Sequence, residues 1–281
     1  MIARNVLITG CSSGIGYCLA HGLRDRGFRV FATARKAADV ERLAAEGFES
    51  LPLDLDDSTS IAAAVSEILR RTGGTLYALV NNAGFGLPGA VEDLSRDGLR
   101  AQFETNVFGG QELIRLLMPT FRAQNEGRIV QMSSMLGYVA LAYRGAYCAS
   151  KYAIEGLTDA LRLELRGTNI HVSIIEPGPI TARFRDNAYA AFKTWIDKDH
   201  SAHRAQYEAM IGRLEGQRGP QPFTLPPEAV LKRVAHALES RRPHRRYQVT
   251  VPAYLSALFE RLLPSALLDI LLDRVGGRGR R

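Results

Sequence analysis

Lysine is nearly absent from this 281-residue chain. Of its 36 basic residues only five are lysine (Lys36, Lys151, Lys193, Lys198 and Lys232), and the other thirty-one are arginine. Cysteine is equally scarce. Cys11, Cys18 and Cys148 are odd in number and form no CxxC pair, which excludes a disulfide framework and reads as reduced thiols inside a cell. No charged segment followed by an apolar core opens the chain, so secretion is not expected, and the predicted address is cytoplasmic. No uninterrupted apolar run is long enough to span a bilayer. The net charge of +7 is spread among acids, as in "GLRDRGFR" and "DALRLELRG", with no basic stripe or recognition element, which argues against nucleic acid as a partner.

What is present is the material of one globular α/β domain. The hydrophobic fraction of 46% and charged fraction of 23% are ordinary for a packed protein, and the length allows a large core. Apolar runs "NVLIT", "FRVFAT", "SLPLDL", "LYALVNN", "RIVQMSS", "HVSIIE" and "RYQVT" alternate with amphipathic stretches such as "DVERLAAEG", "SIAAAVSEILRRT" and "LRAQFETNVFGGQELIRLLMPTFRAQ". That rhythm predicts a Rossmann-type, doubly wound parallel sheet with helices on both faces. A single domain over 1–281 is expected, with a polar helical lid inserted at about 181–219 and Leu-rich helices ending in a basic tail over 252–281.

The first strand runs into "TGCSSGIG", Thr9 to Gly16, and then into a helix. Gly10, Gly14 and Gly16 allow a tight turn, and the helix N-terminus offers free amides and a positive dipole end to a pyrophosphate. The second strand ends "ATARK", with Arg35 where an NAD site usually places an acid. A carboxylate would repel a 2′-phosphate, whereas the planar Arg35 fork pairs with one, and Ser12 would add a hydrogen bond. NADP(H) is therefore expected in preference to NAD(H).

Tyr147 and Lys151 stand four residues apart in "YCASK", on one face of a predicted helix. A phenol titrates near 10, and bringing it to about 7 requires roughly 4 kcal/mol of differential stabilisation. One cation about 4 Å away supplies energy of that order at an effective dielectric near 20. An ammonium fits beside a phenol and a ribose better than a bulky guanidinium, which accounts for a lysine in so arginine-rich a chain.

"TGCSSGIG", "NNAG", "ETNVFG", "MSS", "YCASK" and "EPGPIT" occur in the order and approximate spacing of the short-chain dehydrogenase/reductase family, and the chain resembles that family from Thr9 to Thr181. The resemblance implies hydride transfer between a nicotinamide and an alcohol or carbonyl carbon. It makes Tyr147 the general acid/base and Lys151 the group that lowers its pKa and holds the nicotinamide ribose. Ser134, thirteen residues before the tyrosine, would bind the carbonyl oxygen, and Asn106 would hold a water linking Lys151 to solvent. It also implies that Asp54 touches the adenine amine, that Asn82 lies near the adenosine ribose, and that Ile180 and Thr181 hold the nicotinamide amide. Ser13, Ile15, Ala83, Gly84, Pro177 and Gly178 complete the implied cofactor site. No metal is needed, and "HSAH" (His200 to His203) reads as part of an exposed helix.

Apolar residues mark the segments in which family members differ in substrate. Phe85, Leu87, Met135, Leu136, Val139, Phe192 and Trp195 are candidates for a greasy pocket. The pattern is similar to the hydroxysteroid and retinol dehydrogenase branch, which implies a lipophilic alcohol, ketone or aldehyde of steroid-, retinoid- or long-chain-like character. Two alternatives stand beside it: a non-catalytic NADP-binding module, and a reductase of small polar carbonyls. By analogy with the family a homo-oligomer, dimer or tetramer, is expected. The Leu-rich C-terminal helices with their terminal arginines would cover the pocket, join an interface or lie on a membrane surface.

Overall fold

A computed structural model of the chain describes residues 4–182, 184–214 and 222–276; residue 183 and residues 215–219 of the expected lid, and the basic tail at 277–281, lie outside them. Among the described residues seven strands form one sheet: β1 (Asn5–Ile8), β2 (Arg29–Ala34), β3 (Glu49–Pro52), β4 (Ala78–Asn81), β5 (Gly127–Met132), β6 (Ile170–Glu176) and β7 (Arg246–Gln248). Their order is β3-β2-β1-β4-β5-β6-β7, and every pairing is parallel. The chain winds outward from β1 to β3, then crosses back to place β4 beside β1. That reversal leaves a crevice outside the carboxyl ends of β1 and β4, where open α/β sheets bind ligands.

The central strands are mostly apolar because both of their faces are covered, whereas the edge strands β3 and β7 are only partly buried. On one face Val6, Ile8, Val30, Val80 and Val130 pack under α1 (Gly14–Arg24), α2 (Ala37–Ala45) and, later in the chain, α9 (Glu228–Glu239). On the other, Leu7, Phe31, Leu79, Ile129 and Val172 meet α3 (Ser58–Thr72) and α5 (Gly109–Ala123). Successive residues of β1 point to opposite cores, as the two-residue strand period requires.

A third, smaller core lies above the carboxyl edge. It joins Leu87 and Ala90, from the segment after β4, to α4 (Arg96–Phe103), α6 (Gly145–Glu164), α7 (Phe184–Trp195) and α8 (Arg204–Leu214), around Phe192, Tyr207 and Met210. Tyr207 anchors it: the hydroxyl donates to Asp93 and accepts from the Ala90 amide. "HSAH" is not helical as expected but forms the turn before α8: His203 stands between Glu92 and the Tyr143 hydroxyl and fastens the start of α8 to the segment before α4, while His200 bonds only Asp197, three residues earlier. The chain continues beyond β7 in α10 (Val251–Leu262) and α11 (Ser265–Gly276).

One expected element divides. The run "LRAQFETNVFGGQELIRLLMPTFRAQ" reads as a single helix, but Glu104–Phe108 form a π-helical turn between α4 and α5. The wider turn places Asn106 inward, where its side chain satisfies the backbone of Phe85. π-Bulges of this kind occur frequently at functional sites.

Candidate active site

The glycine turn is built for close approach. Gly10 and Gly14 have φ of +72° and +58°, a region glycine enters without penalty. A Cβ on Gly16 would lie 2.1 Å from the Gly10 carbonyl oxygen, so only glycine lets α1 begin this close to β1. Ser13, the residue before α1, makes no side-chain capping bond, and the first amides of the helix have no intrahelical acceptor. Ser12, Ser13, Gly14 and Ile15 are half-buried, which leaves those donors open to an anion.

Neighbouring strand ends complete this side. The Thr9 hydroxyl accepts from the amides of Asn82 and Ala83, both at 2.9 Å, tying the end of β4 to the end of β1. Asn82 Nδ2 donates to the Thr9 carbonyl at 2.9 Å. Asp54 follows β3, where its carboxylate accepts from the Asp56 amide. Arg35, directly after β2, is exposed and carries no ion pair among the described residues. Arg42 on α2 holds the Ser12 carbonyl at 2.7 Å while paired to Asp39 and Glu46. Sequence reasoning missed Arg42; its place one turn into the helix after "ATARK" was the only signal.

The chemistry gathers at the ends of β4, β5 and β6. Tyr147 and Lys151 lie on α6, and Ser134 follows β5. Burial pushes the Tyr147 phenol up to about 12, against a hydrogen bond with Ser134 that pulls it down. Lys151 is 4% exposed; its Nζ donates to the Met132 carbonyl at 2.7 Å and stands 5.5 Å from the centre of the Tyr147 ring. Burial pushes the ammonium down to about 8, and Glu155 acts against that shift. Ser134 Oγ accepts from the Leu136 amide at 3.2 Å and makes a long, 3.4 Å bond to the Pro177 carbonyl. Asn106 Nδ2 donates to the Phe85 carbonyl and the Ser150 hydroxyl, and its Oδ1 accepts from the Phe85 amide. A Cβ on Gly84 would lie 3.0 Å from Asn106 Oδ1 and 3.8 Å from Lys151 Nζ, so Gly84 sits where the two side chains converge.

The segment after β6 is pinned from the side. Thr181 donates to the Leu225 carbonyl and Leu225 to that of Pro179, with Ile180 bridged to Leu225. A Cβ on Gly178 would strike Thr250 Oγ1 at 2.1 Å. Around the cleft, Phe85, Met135 and Leu136 are half-buried. Leu87 and Phe192 are fully packed in the third core, Val139 is 1% exposed, and Trp195 lies against that core near Gly98. Phe184, which opens α7, was not anticipated. Its ring stacks edge-on over Tyr147 with centroids 5.3 Å apart.

A doubly wound sheet with a glycine turn at its switch point and a Ser–Tyr–Lys cluster at its carboxyl edge is the arrangement of a nucleotide-dependent oxidoreductase. The family model described as short chain dehydrogenase matches residues 4–191, and the chain belongs to the short-chain dehydrogenase/reductase family. It is 42% identical to the uncharacterized oxidoreductase YbbO of Escherichia coli K12, over 97% of this chain and 95% of that protein. It is 34% identical to human 17-beta-hydroxysteroid dehydrogenase type 1, over 97% of this chain and 82% of the relative. With the NADPH-dependent 3-dehydrocapnine reductase of Ornithobacterium rhinotracheale it shares 32% identity, over 95% of each chain.

Proposed function

We propose that the protein is an NADP(H)-dependent oxidoreductase that interconverts a lipophilic alcohol and its ketone or aldehyde. The observation that carries this reading is the convergence of Ser134, Tyr147, Lys151 and Asn106 in one buried cluster beside the glycine turn. The residues present fit the dinucleotide: unpartnered amides at the start of α1 face the crevice, and exposed Arg35 replaces the acid that would repel a 2′-phosphate. Gly10, Ser12, Ser13, Gly14, Ile15, Gly16 and Arg35 would hold its phosphates; Asp54, Asn82, Ala83 and Gly84 its adenosine side; Pro177, Gly178, Ile180 and Thr181 its nicotinamide. When bound, the nicotinamide supplies or accepts the hydride. The NADPH dependence named for the 3-dehydrocapnine reductase points the same way.

The chain's own residues handle the oxygen and the proton. Ser134 turns its hydroxyl from the long Pro177 contact to the substrate oxygen, where negative charge develops. Tyr147 delivers its proton to that oxygen in reduction and removes it in oxidation. Lys151 stabilises the phenolate that results, and Asn106 fixes the backbone beside it. Phe184 over Tyr147, with Phe85, Met135 and Leu136 around the cleft, excludes water and favours an apolar substrate. We read α7 and α8 as the described part of the lid.

Two surfaces extend the proposal. Phe108, Leu157 and Leu163 are exposed on the π turn and α6 and suit a homo-oligomer interface. Tyr254, Leu255, Leu258, Leu262, Leu267 and Ile270 are exposed on α10 and α11 beside Arg261 and Arg274, a composition suited to an anionic lipid surface. Among the described residues no helix is long and apolar enough to cross a membrane. The free cysteines, two of them buried, fit a reducing cytoplasm.

The test follows absorbance at the reduced-nicotinamide band while NADPH and NADH are offered with steroid, retinoid, long-chain and small polar carbonyls. Turnover of an apolar carbonyl with NADPH, abolished in Tyr147→Phe, is the expected result. Turnover confined to small polar carbonyls overturns the substrate class, and tight NADPH binding with no turnover favours a binding module.

A further inference from the structure

Beneath the catalytic helix lies a buried acidic cluster that the reaction above does not use. Glu155 is one helical turn beyond Lys151, which is itself one turn beyond Tyr147, so the three share a face of α6. Glu155 is 7% exposed and Glu176, at the end of β6, is 0% exposed. Arg246 on β7 bonds Glu155 and Glu176 through one nitrogen and Asp159 through the other, the Glu176 and Asp159 contacts both being 2.6 Å. The Ser133 hydroxyl stands beside the Glu155 carboxylate, and Gly137 packs against both, since a Cβ there would lie 2.7 Å from Ser133 Oγ and 2.9 Å from Glu155 Cγ.

We propose that Glu155, clamped by Arg246, is a positioning residue that sustains the positive charge of Lys151 and seats the strand end carrying Ser134. The proposal rests on the oxidoreductase reading of the site. Two buried carboxylates, Glu155 and Glu176, and the part-exposed Asp159 share one guanidinium, which leaves an excess of buried negative charge that is costly unless further cations balance it. Asp159 has a second partner in Arg162 at 3.0 Å, and Glu176 takes a hydrogen bond from Gln248 and feels Arg261 of α10. Lys151 stands one turn before Glu155 on α6 and feels its carboxylate. Tyr138, in the turn after β5, feels both Glu155 and Glu176 but donates its hydroxyl to the Ala253 carbonyl and brings no charge.

The consequence is functional because Lys151 is marginal. Burial alone drives its ammonium toward the neutral form, and the Glu155 carboxylate is what opposes this. A neutral amine gives a phenolate no support. Arg246 works against the burial that pushes the Glu155 carboxyl up to about 7, so the group carries its charge above that value, in the range where Lys151 begins to lose its own. The order of influence runs from β7, through Arg246 and Glu155, to Lys151 and Tyr147.

The experiment compares full-length wild type, Glu155→Gln and Arg246→Lys. NADPH affinity, read by fluorescence of the bound cofactor, and kcat/KM are measured from acid to alkaline pH, with thermal unfolding alongside. In Glu155→Gln the pH above which both quantities decline should fall by about one unit. That shift costs about fivefold in kcat at pH 8, is largely recovered at pH 6, and leaves the KM of the carbonyl substrate unchanged. Arg246→Lys should shift the limb the same way by less, because a point charge cannot hold three carboxylates as the fork does. Activity lowered equally at every pH, together with a lower melting temperature, would mean that the cluster is structural only and would overturn the proposal. If wild type turns nothing over, the reaction assignment fails, yet the pH limb of NADPH affinity still decides the role of Glu155. If Glu155→Gln does not fold, the limb of Arg246→Lys decides alone.

Discussion

Lys151 Nζ is 2.7 Å from the carbonyl oxygen of Met132 and 5.5 Å from the centre of the Tyr147 ring. One bond to a strand end fixes the ammonium below the phenol without occupying the phenol's own oxygen. Two of its three protons therefore remain for a ribose and for the phenolate. Lys151→Arg keeps a charge but puts a rigid fork into a buried space shaped by Gly84 and Asn106. We expect kcat/KM to fall by about 100-fold or more, the scale of lost acid–base assistance. Because burial lowers the ammonium to about 8, it is charged below that pH and neutral above it. NADPH affinity of the wild type should accordingly weaken as pH rises through 8. Titrating bound-cofactor fluorescence against pH reads this directly, and a flat profile would contradict it.

Arg35 is exposed at the carboxyl end of β2 and engages no carboxylate among the described residues. Arg35→Ala should raise the dissociation constant of NADPH by about 10- to 100-fold, the loss of one charge-assisted contact, and leave that of NADH within about twofold. Equal losses for both cofactors would place Arg35 on the part they share rather than on the 2′-phosphate. Arg42, held between Ser12, Asp39 and Glu46, is the control: its removal should weaken both by loosening the glycine turn.

The central strands were legible in the sequence because both of their faces are buried, so apolar residues outnumber polar ones in "NVLIT" and "RIVQM". The glycine turn and the Tyr147–Lys151 spacing were legible because each depends on neighbours within one or two turns. What escaped depends on distant partners. Arg246 reaches Glu155 across 91 positions, and Arg42 reaches Ser12 across 30. Phe184 lies far along the chain from the Tyr147 ring that it covers. The π turn escaped for a different reason: "AQFETNVFGG" has helical periodicity, and the inserted residue is set by the backbone of Phe85.

Asn106 exposes that dependence to experiment. Its side chain is the acceptor for the Phe85 amide, whereas the Phe85 carbonyl keeps a second donor in Gln102 at 2.8 Å. Asn106→Leu therefore strands one buried N–H and should cost about 1–3 kcal/mol of stability. Chemical denaturation measures the loss. An unchanged midpoint would mean that the π turn persists without its asparagine.

Glu155 also ties stability to pH. Its carboxyl is pushed up to about 7 from 4.5, by burial foremost, so between those values the folded chain holds a proton that the unfolded chain has released. Its contribution to stability is complete below 4.5 and declines as pH rises through 7. Glu155→Gln carries no such proton. The difference in melting temperature, variant minus wild type, should therefore become more positive from pH 4.5 to 7 and then level off. A difference independent of pH would show that Glu155 ionises normally in the folded chain.

Phe184 decides how apolar the cleft is. It is 39% exposed, stacks on Tyr147 from the first residue of α7, and its ring tip occupies the space a Cβ on Gly86 would need, 2.8 Å away. A side chain this open adds little to stability, so Phe184→Ala should melt within a degree or two of wild type. An apolar substrate that covers the ring in the complex would lose about 1.5–3 kcal/mol of contact, raising its KM by roughly 10- to 100-fold. A small carbonyl never reaches that face, and its KM should stay put. Gly86→Ala approaches the same contact from the other side by pushing the ring off Tyr147. If both variants change the small and the large substrate alike, Phe184 shields the phenol from water rather than selecting what binds beside it.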